Sequence, residues 1–331
     1  VVLSGNPPLT ERLYGVKAVH RMKPRDIYSA LKASDGLISG GGSLLQDETG
    51  VKTIPYYLGV IKFAQLLRKK VFIYAQGIGP IHRRIFFPFI RNSFNRCALI
   101  TVRDAASAQL LGQIGIDEAR VRVVPDPVMG FPLVEKAKTR TSADGAQPPE
   151  RDIPIVGVSV RFWEPDRRDL AQIARALELV MRARPVRVVL LPFHSRTDTE
   201  AAQFVREQIA DAYRGQIEIA AETAEPLAMV DKVADCDALL GMRLHSLIYA
   251  ASQLVPFAAV SYDPKIDAFL NRLDMAPVGH TRALNPQDLA DETLRLLANA
   301  ASWRKEKQGA IAAMRAQSRI PAQQLLELLR I

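Results

Sequence analysis

The sequence predicts an α/β protein made of two Rossmann-like domains. Short apolar, β-branched runs alternate with amphipathic stretches along most of the 331 residues, a pattern typical of parallel sheets covered by helices. The alternation stops at Glu135–Asp152, which has no periodic apolar face and contains Gly145, Pro148 and Pro149. We interpret this segment as an interdomain linker, and a length of 331 residues is typical of two domains.

The first half is predicted to contain six strands and four helices. The strands are Val1–Ser4, Val16–His20, Leu37–Ser39, Val71–Tyr74, Leu99–Val102 and Val121–Val124. The helices are Pro24–Ala33, Pro55–Arg68, Arg84–Arg96 and Ala105–Ile114. Asn6-Pro7-Pro8 predicts a turn, and Asp104 and Gly115 predict the two ends of the fourth helix. Because Val1 already lies in a strand-like run, we expect one further strand upstream.

The same alternation resumes after the linker. The predicted strands are Ile155–Val160, Val186–Leu191, Ile217–Ala220, Ala238–Leu240, Pro256–Ser261 and Pro277–Gly279. The predicted helices are Arg168–Arg184, Thr199–Tyr213, Pro226–Ala234, Ser246–Gln253, Lys265–Arg272, Pro286–Ala301 and a final region, Lys305–Ile331, interrupted at Pro321. We therefore expect an N-terminal domain over residues 1–134, a linker over 135–152 and a C-terminal domain over 153–304. The helical region 305–331 should pack back on the N-terminal domain, because its leucine-rich end is too apolar to remain solvated.

Two such halves are expected to face a central cleft, lined by the loops at the carboxyl ends of the strands. Apolar residues make up 48% of the chain and charged residues 24%, which excludes disordered and collagen-like proteins. The two cysteines, Cys97 and Cys236, are far apart, so no CxxC metal site exists and a reducing compartment is indicated. No apolar run reaches the roughly 18 residues of a membrane span.

The net charge of +9 indicates either an arginine-rich proteome or an anionic partner. Such a partner is a phosphate ligand or an anionic membrane surface rather than nucleic acid, since the sequence has no zinc finger and no RNP-like aromatic motif. Aromatic residues flanked by arginines in Arg83–Arg91 suit a membrane-surface patch, although an ordinary core helix has the same pattern.

Two glycine-rich loops follow predicted strands of the first half. Gly41, Gly42 and Ser43 belong to the first loop, and Gln76 and Gly77 belong to the second. Glycines permit close approach of the backbone to a ligand, and exposed N–H groups can hold an oxyanion or a sugar hydroxyl. A tight strand-to-helix turn would use the same residues. The absence of a following Gly-Lys-Ser/Thr sequence excludes a P-loop.

Two arginines and a histidine stand at other predicted strand ends. Arg103 follows one strand of the first half and either faces the cleft or pairs with Asp104. Arg161 and Trp163 follow the first strand of the second half, where a guanidinium suits a phosphate or carboxylate and an aromatic ring suits a sugar. His194 ends the next strand and has either a binding or a structural role.

The motif that most strongly indicates a catalytic function is Gly241–Ser246, which leads into a predicted helix. Arg243 and His245 are two residues apart in what we expect to be an extended segment, so both should face the same side. A cation beside a titratable imidazole suits an anionic substrate that needs a proton donor; the alternative is a buried histidine in a turn. Lys265 follows the next strand near a helix start, either beside a bound anion or simply solvated.

Together these segments resemble the polysaccharide pyruvyl transferase family, most closely the bacterial enzymes that pyruvylate cell-wall polysaccharide for S-layer anchoring. The motifs that carry the resemblance occur in the family's order: GGGSLLQD (Gly40–Asp47), AQGIGP (Ala75–Pro80), TVRD (Thr101–Asp104), VSVRFW (Val158–Trp163), LPFH (Leu191–His194), GMRLHS (Gly241–Ser246) and YDPK (Tyr262–Lys265). The family's usual first strand and Asn-x-Gly-Asp-Glu loop do not appear in this sequence.

The resemblance implies a GT-B-like fold and transfer of pyruvate from phosphoenolpyruvate to a sugar diol, as a cyclic ketal with release of phosphate. It implies that Arg161, Arg243 and Lys265 hold phosphoenolpyruvate, with Arg103 as an additional arginine, and that His245 is the general acid. It implies no metal or cofactor and a lipid-linked sugar acceptor. From the cysteine usage and the net charge we expect a cytoplasmic location with peripheral association at the inner face of the membrane. A nucleotide-sugar glycosyltransferase and a non-catalytic carbohydrate-binding relative remain alternatives.

Overall fold

The computed structural model describes residues 1–329 except 49, 136, 138–151, 195 and 224. These residues form two compact units: the first unit is Val1–Pro127 with Ala316–Ile331, and the second is Val128–Arg315. Most of the predicted linker Glu135–Asp152 lies outside the described residues.

The first unit consists of parallel strands joined by helices. Its strands are β1 (Val2–Ser4), β2 (Ala18–His20), β3 (Gly36–Gly40), β4 (Lys70–Gln76), β5 (Leu99–Val102) and β6 (Val121–Val123). Its helices are α1 (Pro7–Tyr14), α2 (Pro24–Lys32), α3 (Thr53–Leu66), α4 (Phe87–Phe94) and α5 (Ala105–Ile114). Strands β1 and β2 form a two-stranded sheet, and β3-β4-β5-β6 form a four-stranded sheet in that order. All these pairings are parallel.

The second unit is built around one six-stranded parallel sheet with the order β12-β11-β10-β7-β8-β9. Its strands are β7 (Ile155–Ser159), β8 (Arg187–Leu190), β9 (Ile217–Ile219), β10 (Ala238–Gly241), β11 (Phe257–Ser261) and β12 (Gly279–His280). Its helices are α6 (Arg168–Ala183), α7 (Thr197–Gln208), α8 (Asp211–Arg214), α9 (Pro226–Ala234), α10 (Leu244–Ser252), α11 (Pro264–Asn271) and α12 (Pro286–Ala298). The last helix, α13 (Ala300–Leu329), begins in the second unit and ends in the first.

Each unit has its own apolar core between sheet and helices. Strands β10 and β11 are buried at every position, as expected for a parallel sheet with helices on both faces. In the first unit, Phe72 and Ile73 of β4 are fully buried, and Phe94 of α4 is also fully buried. This burial pattern explains why the strands were recognisable as continuous apolar runs in the sequence.

Three sequence predictions about individual elements are wrong. Asn6-Pro7-Pro8 starts helix α1 rather than a turn, because Asn6 Oδ1 accepts the N–H of Leu9 and proline is well suited to the first helical turn. The helix expected over Thr199–Tyr213 is divided between α7 and α8 by Ile209, whose extended backbone places its side chain in the core.

The helix predicted to break at Pro321 instead continues through it, from Ala300 to Leu329. Apolar side chains of α13 are buried on both sides of the proline, including Met314 and Leu325. This burial offsets the loss of helical hydrogen bonding that a proline causes.

Strand order determines which loops can form a site. In the first unit β3, β4 and β5 are neighbours, and in the second unit β8, β7, β10 and β11 are neighbours. Because all are parallel, the loops after each set of strands meet at one edge of their own sheet.

Candidate functional site

The second unit brings five of the predicted residues to one edge of its sheet. Arg161 follows β7, His194 follows β8, Arg243 and His245 follow β10, and Lys265 follows β11. Three positively charged side chains and two imidazoles therefore come from the carboxyl ends of four adjacent parallel strands. We call this group the second-unit cluster.

Arg243 is fixed by a partner that sequence reasoning missed. Its Nε donates to Asp198 Oδ2 at 3.0 Å, and its Nη2 donates to Asp198 Oδ1. The Asp198 side chain is 0% exposed and the Arg243 side chain is 18% exposed. The same carboxylate accepts the backbone N–H of His194 at 2.9 Å, so Asp198 links two of the predicted loops.

His245 lies in the first turn of a helix rather than in an extended segment. Arg243 is the N-cap, with φ −81° and ψ 125°, and α10 begins at Leu244. The turn closes at once because Ser246 donates both its N–H and its Oγ–H to the carbonyl of Arg243. The expectation that Arg243 and His245 share one face of a strand is therefore wrong. His245 is exposed, and its ring lies edge-on to Tyr249 at 6.5 Å.

Arg161 packs beside a pair of aromatic rings, Trp163 and Tyr262, whose centres are 4.5 Å apart. Its guanidinium carbon lies 5.1 Å from the centre of the Trp163 ring and 5.0 Å from that of Tyr262. Its Nη1 also donates to Tyr262 Oη at 3.0 Å. Both rings therefore lie on the same side of the guanidinium, where cation–π contacts stabilise its charge. Tyr262 belongs to the YDPK motif, and the structure makes it a direct partner of Arg161.

Lys265 occupies the second position of α11. Asp263 caps this helix by accepting the backbone N–H of Lys265 at 2.9 Å. Within the described ranges, Lys265 Nζ forms no hydrogen bond or ion pair, whereas the N-terminal end of a helix itself favours an anion. The ammonium group of Lys265 and the N-terminal end of the helix thus both favour an anion beside Tyr262.

A second group, the first-unit cluster, contains Arg103 and the two glycine-rich loops. Arg103 Nη2 donates to Ser43 Oγ at 2.7 Å, and its Nη1 lies 3.4 Å from Asp126 Oδ2. The loops are joined by a hydrogen bond from Gly77 N–H to the Gly42 carbonyl at 2.9 Å. The structure therefore brings Gly42, Ser43, Gly77 and Arg103 together, as their strand-end positions suggested.

Glycine is required at two kinds of position in this cluster. Gly41 and Gly42 have φ values of +75° and +60°, which side chains rarely adopt. A Cβ on Gly77 would lie 2.8 Å from Ser43 Oγ and 2.9 Å from Arg103 Nε. Because Gly77 has no side chain, Arg103 can reach Ser43.

Gln76 lies beneath these loops at the end of β4. Its side chain is 0% exposed, and neither amide atom has a hydrogen-bond partner among the described residues. Its backbone carbonyl accepts the N–H of Arg103 at 3.3 Å. Buried amide groups are nearly always paired, so this orphan amide is a distinctive feature of the first-unit cluster.

Asp47 fixes the segment that follows the second glycine-rich loop. Its carboxylate accepts the backbone N–H groups of His82 and Arg83 at 2.8 and 2.9 Å. Burial alone would raise the pKa of Asp47, but these two hydrogen bonds outweigh it and lower the pKa. The ionised carboxylate therefore closes the loop.

The described residues contain no group of three or more His, Cys, Asp or Glu side chains arranged to hold a metal ion. In the same residues, no helix combines the length and the apolar character needed to cross a bilayer.

Several solved structures share this architecture. Anabaena Alr3699/HepE in complex with UDP and glucose matches with a TM-score of 0.59 at 14% identity, covering 98% of this chain and 88% of that one. A putative UDP-N-acetylglucosamine 2-epimerase from Listeria monocytogenes matches with a TM-score of 0.62 at 14% identity, covering 96% and 84%. S. aureus MnaA with UDP matches with a TM-score of 0.61 at 12% identity, covering 100% and 89%. At these identities the likeness establishes the fold, which is GT-B-like.

The sequence itself matches a family defined by its chemistry. The model of the polysaccharide pyruvyl transferases matches residues 1–264. The match includes Arg103, Arg161, Arg243 and His245 and ends one residue before Lys265. Since it covers most of the chain, the protein belongs to the polysaccharide pyruvyl transferase family of transferases.

Proposed function

We propose that the protein transfers pyruvate from phosphoenolpyruvate to a diol of a cell-wall polysaccharide precursor, forming a cyclic ketal and releasing phosphate. The observation that supports this proposal best is the second-unit cluster, where Arg161, Arg243 and Lys265 end adjacent strands beside His245. The donor would bind in the C-terminal domain and the acceptor in the N-terminal domain.

The charges of the cluster suit this donor. Phosphoenolpyruvate carries a carboxylate and a phosphate, and arginine recognises both through paired N–H groups. The guanidinium of Arg243 is oriented by Asp198, and that of Arg161 is oriented by its aromatic neighbours. Prior orientation lowers the entropy lost on binding. Lys265 adds a cation with no partner among the described residues.

His245 would supply the proton that starts the reaction. Protonation of C3 converts the methylene of phosphoenolpyruvate to a methyl group and leaves C2 electron-deficient. One sugar hydroxyl adds to C2, the bond from C2 to the phosphate oxygen breaks, and the second hydroxyl closes the ketal. One of the two hydroxyl protons returns to His245 and replaces the proton given to C3. The other leaves with phosphate. General acid catalysis of this kind contributes about 10²–10⁴-fold.

The first-unit cluster is the proposed acceptor side. The backbone of Gly41, Gly42 and Gly77 and the side chains of Ser43 and Gln76 offer donors and acceptors suited to sugar hydroxyls.

Trp163 and His194 are further proposed sugar contacts, because both are exposed beside the donor residues. Arg103 stays a prediction as an additional donor contact. We also propose a lipid-linked acceptor, a role in S-layer anchoring and a cytoplasmic location at the inner face of the membrane.

Variants of the second-unit cluster test the proposal. His245→Ala and His245→Gln should lose most of the rate while phosphoenolpyruvate still binds, because glutamine donates a hydrogen bond but no proton. Arg243→Ala should also weaken donor binding, since a hydrogen bond to a charged group is worth about 1.5–3 kcal/mol. His280→Gln and Arg282→Ala, exposed changes elsewhere in the second unit, are the controls.

Two measurements on each variant separate these roles: phosphate release in the presence of acceptor, and calorimetric affinity for phosphoenolpyruvate. Near wild-type turnover in His245→Gln would remove the acid role. Release of UDP from a nucleotide sugar, with none of phosphate from phosphoenolpyruvate, would support a glycosyltransferase instead. No turnover of either donor would favour a non-catalytic carbohydrate-binding protein.

A further inference from the structure

The positive charge of this protein is concentrated in one part of the chain. Residues 50–103 contain ten of the 44 lysines and arginines and none of the 35 acidic residues. The remaining 34 basic and 35 acidic residues almost balance each other. Residues 50–103 therefore account for the net charge of +9, since the basic and acidic residues of the rest of the chain almost cancel.

Five of these ten cations lie on helices α3 and α4 or beside their ends: Lys62, Arg83, Arg84, Arg91 and Arg96. Lys62 Nζ of α3 donates to Asn92 Oδ1 of α4 at 2.7 Å, and Gln65 Nε2 donates to the Ser93 carbonyl at 2.8 Å. These bonds hold the two helices side by side. The α3–α4 patch consists of Lys62, Leu66, Arg83, Arg84, Ile85, Phe89, Arg91 and Arg96.

Three large apolar side chains project from the patch. Leu66 is 79% exposed, Ile85 is 70% exposed and Phe89 is 58% exposed. Phe89 lies one helical turn before Asn92, the partner of Lys62, and Leu66 lies one turn after Lys62. Exposed apolar tips surrounded by cations are typical of surfaces that enter the headgroup region of a bilayer.

A shallow groove of about 520 Å³ adjoins these residues. It is lined by Phe87, Pro88, Arg91, Asn92, Asn95, Arg96 and Ile114. Its walls carry two arginines, two asparagines and three apolar residues but no carboxylate, so a phosphate group would meet donors without repulsion.

We propose that the α3–α4 patch is the surface through which this protein docks on an anionic lipid bilayer. The cations attract phosphate headgroups, and Leu66, Ile85 and Phe89 enter the boundary between headgroups and acyl chains. Charge complementarity identifies the occupant, because the patch carries five cations and no acidic residue, and such a surface matches a negatively charged one. This inference supplies the contact surface for the membrane location proposed above, but it does not depend on the pyruvyl transfer reaction.

Vesicle flotation with the full chain tests this inference. Vesicles of neutral phosphatidylcholine are compared with vesicles containing phosphatidylglycerol, each at low and high salt. Binding should require the anionic lipid and weaken with salt. Arg83→Gln with Arg84→Gln should weaken binding about 25-fold, since each basic residue near such a surface contributes about fivefold. Leu66→Ser with Phe89→Ser should weaken it further while the salt dependence remains.

The controls are exposed residues of the same types in the second unit. Leu227→Ser and Arg168→Gln should leave binding unchanged, and melting curves confirm that every variant is folded. Equal binding to neutral vesicles, unchanged binding of the patch variants, or equal losses in the controls would overturn the proposal. Flotation needs no substrate, so failure of the proposed reaction would leave this result unaffected. Patch-dependent capture of an acidic protein without vesicle binding would also overturn it.

Discussion

The ion pair between Asp198 and Arg243 gives the sharpest test of how the second unit is held together. Asp198→Ala removes a fully buried carboxylate that accepts two hydrogen bonds from Arg243 and one from the N–H of His194. The guanidinium and the amide lose their acceptor at the same time. We therefore expect Asp198→Ala to lower the free energy of unfolding by more than the removal of an exposed ion pair would.

The size of this loss follows from the burial of the two partners. Removing one member of a buried ion pair costs about 3–5 kcal/mol of unfolding free energy, because the other charge is left uncompensated. The Arg243 side chain is 18% exposed, so water relieves part of that charge and the lower end of the range applies. A change of about 3 kcal/mol in a unit of this size lowers Tm by about 6–12 °C.

Thermal and urea unfolding, followed by circular dichroism, measure this effect. Glu218→Ala is the matched control, since Glu218 and Arg187 also pair in the second unit but are 57% and 55% exposed. An exposed pair contributes about 0–1 kcal/mol, so the control should hardly move. A loss below about 1 kcal/mol in Asp198→Ala would refute the argument, because it would mean that Arg243 is readily hydrated without its partner.

Three further predictions concern other residues. Burial raises the pKa of Cys97 to about 12, so iodoacetamide should label it only after unfolding; labelling of the native chain, seen by mass spectrometry, would contradict this. A hydrogen bond to Glu48 raises the pKa of His82. This exposed pair therefore stabilises the folded protein below the ordinary histidine pKa, and the contribution is lost as the pH rises through the raised pKa. In NMR titrations Glu48→Gln should lower the His82 pKa. Gly77→Ala would place a Cβ 2.9 Å from Arg103 Nε and should cost about 1–3 kcal/mol in urea unfolding, and an unchanged midpoint would disprove the close fit.

The sequence was sufficient to predict the fold and the positions of the candidate loops. Fully buried parallel strands leave continuous apolar runs, and their order places the loops after β7, β10 and β11 at one edge. The resemblance then supplied roles for Arg161, Arg243 and Lys265. The inferences about strands and loop positions succeed because they depend on local pattern and on the topology of parallel sheets, whereas the roles of these three residues stay predictions.

Partners that are distant in sequence could not be predicted in this way. Asp198 is 45 residues from Arg243, and in sequence it looks like an ordinary acidic residue just before the predicted helix Thr199–Tyr213. Tyr262 is likewise 101 residues from Arg161. The prediction at Pro321 is wrong for the opposite reason. Proline is a strong local signal for a helix break, but burial of apolar side chains on both sides of it outweighs that signal, and this burial is visible only in the folded chain.

The orphan amide of Gln76 implies a conflict between stability and function. A buried polar group without partners typically costs about 1–3 kcal/mol, so a methionine of similar volume should make the first unit harder to unfold. If the acceptor sugar supplies the missing hydrogen bonds, the same change should weaken its binding. Engineering this protein for thermostability by filling its core with apolar residues would then remove a contact that the ligand needs, and the more stable enzyme would be the poorer one.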